Sequence, residues 1–206
     1  MKFLLTNDDG IDAPGLLAIE QALTLAQGET VDATIVAPVE GYSGCGHLVN
    51  YREALEVTSL TDRRYCVRGA PADCTRIALS KLVSNCDWVL SGINQGANLG
   101  VDVWMSGTVS AVREAGWMGV RGIAISQYFR EDLAIDWEQT ARAAARVLKE
   151  LLSSEEQDVF WNVNLPAVSN LSEDLPIHNT FIEPGHLPIS YEQMPDGRFR
   201  YTGDYR

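Results

Sequence analysis

The chain has no apolar run approaching the roughly 20 residues that span a bilayer, which argues against a membrane-crossing helix. Basic residues are scarce: 16 Lys and Arg stand against 28 Asp and Glu, for a net charge of −12. Phosphate backbones select Lys/Arg-rich faces, so a nucleic-acid polymer is excluded as the main ligand. A small phosphate ester held through a metal ion is not excluded. The few cysteines, Cys45, Cys66, Cys74 and Cys86, include no C-x-x-C pair, which argues against a structural zinc site. His47, His178 and His186 show no H-E-x-x-H spacing. There is no internal repeat and no low-complexity tract. The run Phe3-Leu4-Leu5 meets Asp8 and Asp9 too soon to form a signal-peptide core. A cytoplasmic protein with reduced thiols is therefore expected.

What is present is ordinary for a globular protein: 46% hydrophobic and 21% charged residues. At about 150 residues per domain, 206 residues make one domain with an extension. Strand-like and helix-like patterns alternate. Strands are expected over residues 2–6, 31–37, 55–58, 65–68, 87–90, 122–126 and 159–163. A helix begins at Pro14 with Asp12 as its cap and ends at Gly28. Another opens at Pro71, a third covers 107–117, and a capping box of Asp136 with Gln139 starts the longest. Residues 38–50 and 91–105 read as long loops. The alternation implies right-handed crossovers and a mainly parallel α/β sheet over residues 1–166. After Pro166 the pattern changes. Pro195-Asp196-Gly197 reads as the turn of a β-hairpin, so 167–206 is an arm of the same domain.

In open α/β sheets, ligands sit beyond the carboxyl ends of the strands. Three polar loops fall there: Asn7-Asp8-Asp9-Gly10, Gly41-Tyr42-Ser43-Gly44, and the stretch from Ser91 to Asn98. Adjacent carboxylates repel unless a proton or cation intervenes. Where the strand alternation breaks, both can face one ion. Carboxylate, hydroxyl and amide oxygens suit a hard cation such as Mg²⁺ or Mn²⁺. Ser106-Gly107-Thr108 opens a helix, and small residues there leave N–H groups for a bound phosphate. Each signal alone has a plainer reading. Asp-Asp-Gly and Ser43 read as turn residues, Asn94 and Asn98 as backbone caps, and Ser106 and Thr108 as helix caps. Asp73 reads as a charge complementing a helix dipole, and His47 as a solvated loop histidine. Only their shared placement at one sheet edge points to chemistry.

Taken together these stretches resemble the SurE survival-protein family of metal-dependent nucleoside monophosphate phosphatases. The resemblance rests on Leu5-Thr6-Asn7-Asp8-Asp9-Gly10 with Ala13-Pro14-Gly15, and on Val36-Ala37-Pro38 with Ser43-Gly44. It continues through Gly69-Ala70-Pro71-Ala72-Asp73-Cys74, the run Ser91-Gly92-Ile93-Asn94-Gln95-Gly96-Ala97-Asn98-Leu99-Gly100, and Ser106-Gly107-Thr108-Val109. It implies a Rossmann-like three-layer core with a protruding hairpin used in homodimers or homotetramers. It also implies one Mg²⁺ or Mn²⁺ per subunit, held by Asp8, Asp9, Ser43 and Asn94. Asn98, Ser106, Gly107 and Thr108 would hold phosphate, and Asp8 or Asp9 would assist proton transfer. The substrates implied are nucleoside 5′- and 3′-monophosphates, for some members also short polyphosphates. Two departures stand out. Gln95 and Ala97 vary within the third motif, and after Tyr201-Thr202-Gly203-Asp204 there is no Ile-Thr-Pro-Leu-like strand.

Competing readings fail on single residues. An aspartyl-phosphate phosphatase needs an Asp two positions after its nucleophile, where Gly10 and Ile11 stand. A receiver-like signalling domain needs a later phosphoacceptor Asp, where Leu90-Ser91-Gly92 stands. A dinucleotide-binding module needs G-x-G-x-x-G after the first strand, where Asp-Asp-Gly stands. A catalytically silent nucleotide- or phosphate-binding regulatory module remains the alternative to a 5′-nucleotidase.

Overall fold

The computed structural model describes residues 1–28, 31–156, 159–172, 174–183, 185 and 189–203; His186 and Asp204 lie outside them. Among the described residues the chain runs β1 (Lys2–Thr6), α1 (Pro14–Gln27), β2 (Asp32–Pro38), β3 (Val57–Thr61), β4 (Arg64–Val67) and α2 (Pro71–Ile77). A π-helical turn, Ala78–Leu82, extends α2. Then come β5 (Trp88–Gln95), α3 (Asp102–Met105), α4 (Gly107–Trp117), β6 (Arg121–Gln127), α5 (Trp137–Leu152) and β7 (Phe160–Leu165). The hairpin strands are β8 (Tyr191–Gln193) and β9 (Phe199–Tyr201). None of the described helices is long and apolar enough to cross a membrane.

The seven-stranded sheet has the order β3-β4-β2-β1-β5-β6-β7. All its pairings are parallel except the edge pair β3–β4. Successive residues of the strands bury opposite faces. Phe3, Leu5, Trp88, Leu90, Ile123 and Ile125 pack with the apolar sides of α1 and α5. Leu4, Val36, Val89 and Ala124 pack instead against Cys74 of α2 and Val109, Val112 and Ala115 of α4. The result is a three-layer α/β sandwich whose two cores are separated by the sheet.

This layering corrects one expectation. The crossovers β5–α4–β6 and β6–α5–β7 step in the same direction across the sheet, with α4 and α5 on opposite faces. They therefore have opposite hands, and right-handed crossovers cannot hold throughout. The step β1–α1–β2 runs the other way on the face of α5, so it shares the hand of β5–α4–β6. The odd one is β6–α5–β7, where α5 packs beside α1 and shares its core through the Ala141, Ala144 and Leu148 stripe.

Local differences have local causes. The cap of α1 is Ala13, not Asp12; no side chain caps it, and Pro14 supplies the fixed φ of the first turn. The residue that shapes the preceding loop is Asn7, whose side chain donates to Gly10 O and accepts from Gly10 N. Strand β5 does not end at Leu90. Its backbone continues to pair with β6 as far as Gln95, with a register shift between Gly92 and Asn94. Asp136 caps α5 as expected, accepting from Glu138 N and Gln139 N. The Pro195-Asp196-Gly197 turn joins β8 to β9, with Gly197 at φ +83°.

Only a residue without a side chain fits at Gly15, in the first turn of α1. A Cβ there would lie 1.9 Å from the carbonyl oxygen of Ile93. This contact seats α1 against the end of β5. Gly15→Ala is expected to cost about 3 kcal/mol or more through forced backbone displacement. Urea unfolding would show it as a lower midpoint at unchanged slope; an unchanged midpoint would refute the contact.

Candidate functional site

Strand order sets the place. The chain leaves β1 for β2 on one side, and β5 lies on the other. The β1–β5 junction is thus the switch point where α/β sheets open a crevice at their carboxyl ends. Thr6 is level with Ser91 in the ladder, so Asn7-Asp8-Asp9 and Asn94-Gln95 emerge side by side.

Asp8 is buried and sits on the start of α4. Thr108 Oγ1 donates to its Oδ1 at 2.6 Å. A Cβ on Gly107 would lie 2.7 Å from Asp8 Cβ and 2.8 Å from Oδ2, so the carboxylate has room only because residue 107 is glycine. Ser106 caps α4 by accepting from Val109 N at 3.0 Å. Thr108, by contrast, does not act as a plain cap: its hydroxyl faces Asp8. Burial pushes the Asp8 carboxyl up to about 6. The Thr108 hydroxyl works against that rise, while the neighbouring Asp9 charge adds to it. Asp9 is less buried and is also raised by burial, offset by the backbone N–H of Gln95.

The loop after β2 closes the site from the side. Tyr42 N–H donates to Asp8 O at 2.7 Å, and Gly46 N–H to Met105 O at 2.9 Å. Ser43 is exposed and follows Tyr42, the residue whose backbone docks on Asp8. Asn94 is half-buried, and its Nδ2 donates to Gly96 O at 2.7 Å. That engages the nitrogen and leaves the oxygen as the atom able to ligate a cation. Among the described residues no three His, Cys, Asp or Glu gather as a metal cluster. Two carboxylates with one hydroxyl and one amide oxygen are a hard-donor set. It fits Mg²⁺ or Mn²⁺ and not a thiolate or imidazole metal.

Asn98 is buried and firmly held. Its Nδ2 donates to Ser126 Oγ at 2.8 Å, and its N–H to Asn164 Oδ1 at 2.8 Å. Its carbonyl accepts from Nδ2 of Asn162 and of Asn164. Asn162 and Asn164 were not singled out from the sequence. Two asparagines at i and i+2 share one face near the carboxyl end of a strand, and that spacing is a signal that could have found them.

A second polar cluster also escaped the sequence. His47 is not a solvated loop histidine. Its Nε2 lies 2.8 Å from Glu114 Oε2, and its ring stacks on Trp117 with centroids 4.6 Å apart. Glu114 is buried on α4 and receives Arg76 Nε at 2.6 Å and Arg76 Nη2 at 3.3 Å. Asp73 is likewise more than a dipole charge: it is buried and accepts from the N–H groups of Asn50 and Ala70.

A family model described as "Survival protein SurE" matches residues 3–180. A protein of Nostoc sp., bearing a provisional 5′-nucleotidase name, is 44% identical over 207 residues, spanning 100% of this chain and 88% of its own. The 5′-nucleotidase SurE 1 of Burkholderia lata is 44% identical over 168 residues, covering 80% of this chain and 64% of that protein. The crystal structure of a SurE protein from Aquifex aeolicus superposes with a TM-score of 0.82 at 32% identity, over 98% of this chain and 81% of that one.

The Asp8 carboxyl makes the metal-free fold pH-sensitive. Its folded pKa lies above the unfolded value of 3.8, so the folded state holds the proton more tightly. The contribution of Asp8 to stability is therefore least favourable above pH 6, improves as pH falls through 6 and levels off below about 4. The ionised group costs about 3 kcal/mol at pH 7.5. Asp8→Asn is expected to raise the melting temperature of metal-free protein by several degrees at pH 7.5, and by progressively less toward pH 4. A variant that melts lower than wild type at pH 7.5 would overturn this account of Asp8.

Proposed function

This chain belongs to the SurE survival-protein family, and from that premise we propose that it is a divalent-metal-dependent 5′-nucleotidase. It would hydrolyse nucleoside 5′- and 3′-monophosphates to nucleoside and phosphate, in the cytoplasm. The observation that carries the reading is the Thr108–Asp8 hydrogen bond, with Gly107 packed on Asp8. It joins an acid pair able to hold a cation to a helix start able to hold an anion. The two halves of a phosphoryl-transfer site are thereby in contact.

Asp8, Asp9, Ser43 and Asn94 would hold one Mg²⁺ or Mn²⁺ per subunit. When bound, such a cation supplies Lewis-acid activation of water and offsets charge on the phosphoryl oxygens. The chain's own groups do the rest. The start of α4, capped by Ser106, would face incoming negative charge with the positive end of the helix dipole. Asn98, Ser106, Gly107 and Thr108 would bind the phosphoryl oxygens. Thr108 also fixes the Asp8 carboxylate, so one hydroxyl orients both halves. Asp8 or Asp9 would take a proton from the attacking water.

Phosphate release from AMP with Mn²⁺, compared with the same assay in EDTA, tests the reading. Release is expected only with the ion present. Equal release in EDTA would overturn the metal dependence, and nucleotide binding without any release would favour a silent regulatory module. Thr108→Ala is expected to lower kcat about 10²-fold or more, as for the loss of a preorganised donor to a transition state. Unchanged kcat with only a lower melting temperature would make Thr108 a purely structural residue.

The arm formed by residues 167–206 would serve assembly into a homodimer or homotetramer. Phe181, Ile189, Tyr191 and Phe199 are exposed there, and a hairpin of three-residue strands is marginal without a surface to pack on. Light scattering is expected to give at least a dimer, and Ile189→Asp combined with Phe199→Asp a smaller species. A wild-type monomer at all concentrations would refute the role of the arm.

A further inference from the structure

The loop that carries Ser43 has no regular secondary structure between Val39 and Tyr51, yet its docking decides where Ser43 stands. Two of its anchors are backbone bonds, to Asp8 O and Met105 O. A third is Asn50 N–H on Asp73 Oδ1 at 2.9 Å. The fourth is a side chain, His47 on Glu114 at 2.8 Å.

Glu114 lies six residues beyond Thr108 on α4, the helix whose first turn forms the proposed cradle. Arg113 Nη1 approaches His47 Nδ1 at 3.4 Å. A guanidinium can only donate, so Nδ1 accepts and the ring proton sits on Nε2, directed at Glu114. Arg113 Nη2 also donates to Val103 O at 2.8 Å, and the guanidinium lies 5.3 Å from the Trp104 ring centroid. Two consecutive residues of α4 thus grip α3, the Ser43 loop and, through Arg76, α2.

We propose that His47 and Glu114 are positioning residues: a buried latch that keeps the Ser43 loop in register with the start of α4. The proposal rests on the nucleotidase reading for what it positions, though not for its existence as a contact. Removing His47 leaves Glu114 paired with Arg76, so no buried charge is stranded and the fold survives. What is lost are the side-chain contacts that His47 makes with the cradle helix, on Glu114, Arg113 and Trp117. Partners that orient metal-binding groups from outside typically contribute 10- to 100-fold to metal affinity or activity.

The test compares His47→Ala and His47→Gln in the full chain, because a glutamine Nε2 can also donate to Glu114. In metal-free protein, hydrogen exchange at Tyr42 and Gly46 is expected to speed up at least tenfold in His47→Ala, with the amides of β1 and β5 unchanged. Mn²⁺ binding, read by water-proton relaxation, is expected to weaken about tenfold or more. His47→Gln is expected to recover most of both. Wild-type exchange and wild-type Mn²⁺ affinity in His47→Ala would overturn the latch, and so would failure of His47→Gln to recover either. A wild-type protein that binds Mn²⁺ but releases no phosphate from AMP would overturn the nucleotidase reading alone, since neither latch readout depends on turnover.

Discussion

A carboxylate kept out of water is the constraint on which this architecture turns. Asp8 stands at the end of a central strand, beside Asp9, under a helix start and behind a docked loop. Desolvation and a like charge both oppose its ionisation. Natural folds retain such a destabilised group where function requires it, and the surroundings here are arranged to hold it in place without neutralising it. Glycine at 107 makes the space, the Thr108 hydroxyl fixes one oxygen, and Tyr42 fastens the Asp8 backbone. None of these supplies a positive charge. On the proposed reading, a cation is what the arrangement leaves to be added.

Much of this was legible in the sequence, and the failures share one cause. The alternation of apolar strand and helix segments gave the layered α/β fold, and Asn7-Asp8-Asp9-Gly10 with Ser106-Gly107-Thr108 marked the two halves of the candidate site. Residues 91–95 read as loop because Ser, Gly and Asn are turn formers. They are strand because β6 pairs with them as far as Gln95, while β1 pairs up to Ser91, an override of local propensity by the sheet. His47 read as solvated because its partner, Glu114, lies 67 residues away. Asp12 read as a cap because spacing alone cannot tell it from Asn7, whose side chain takes the loop's bonds. The hand of β6–α5–β7 was beyond reach for the same reason. It follows from α5 packing beside α1, a contact between elements more than a hundred residues apart.

The last step concerns how so acidic a chain could handle a phosphate ester. The basic groups that α4 keeps close are already engaged: Arg76 on Glu114, and Arg113 on Val103 O and the Trp104 face. Arg113 is moreover held below its usual range by burial, so it is a poor candidate for a freely mobile anion clamp. These arginines tie α4 to the elements packed against it. Anion recognition would then fall to backbone N–H groups at a capped helix start, which carry only partial charge and cannot by themselves offset a phosphate dianion. The remainder would have to come from the ion held by the acid pair. On the proposed reading, an active site built this way would be off by default: without the cation, its carboxylates would repel the substrate. Metal dependence would then be a consequence of which charges the fold has committed elsewhere.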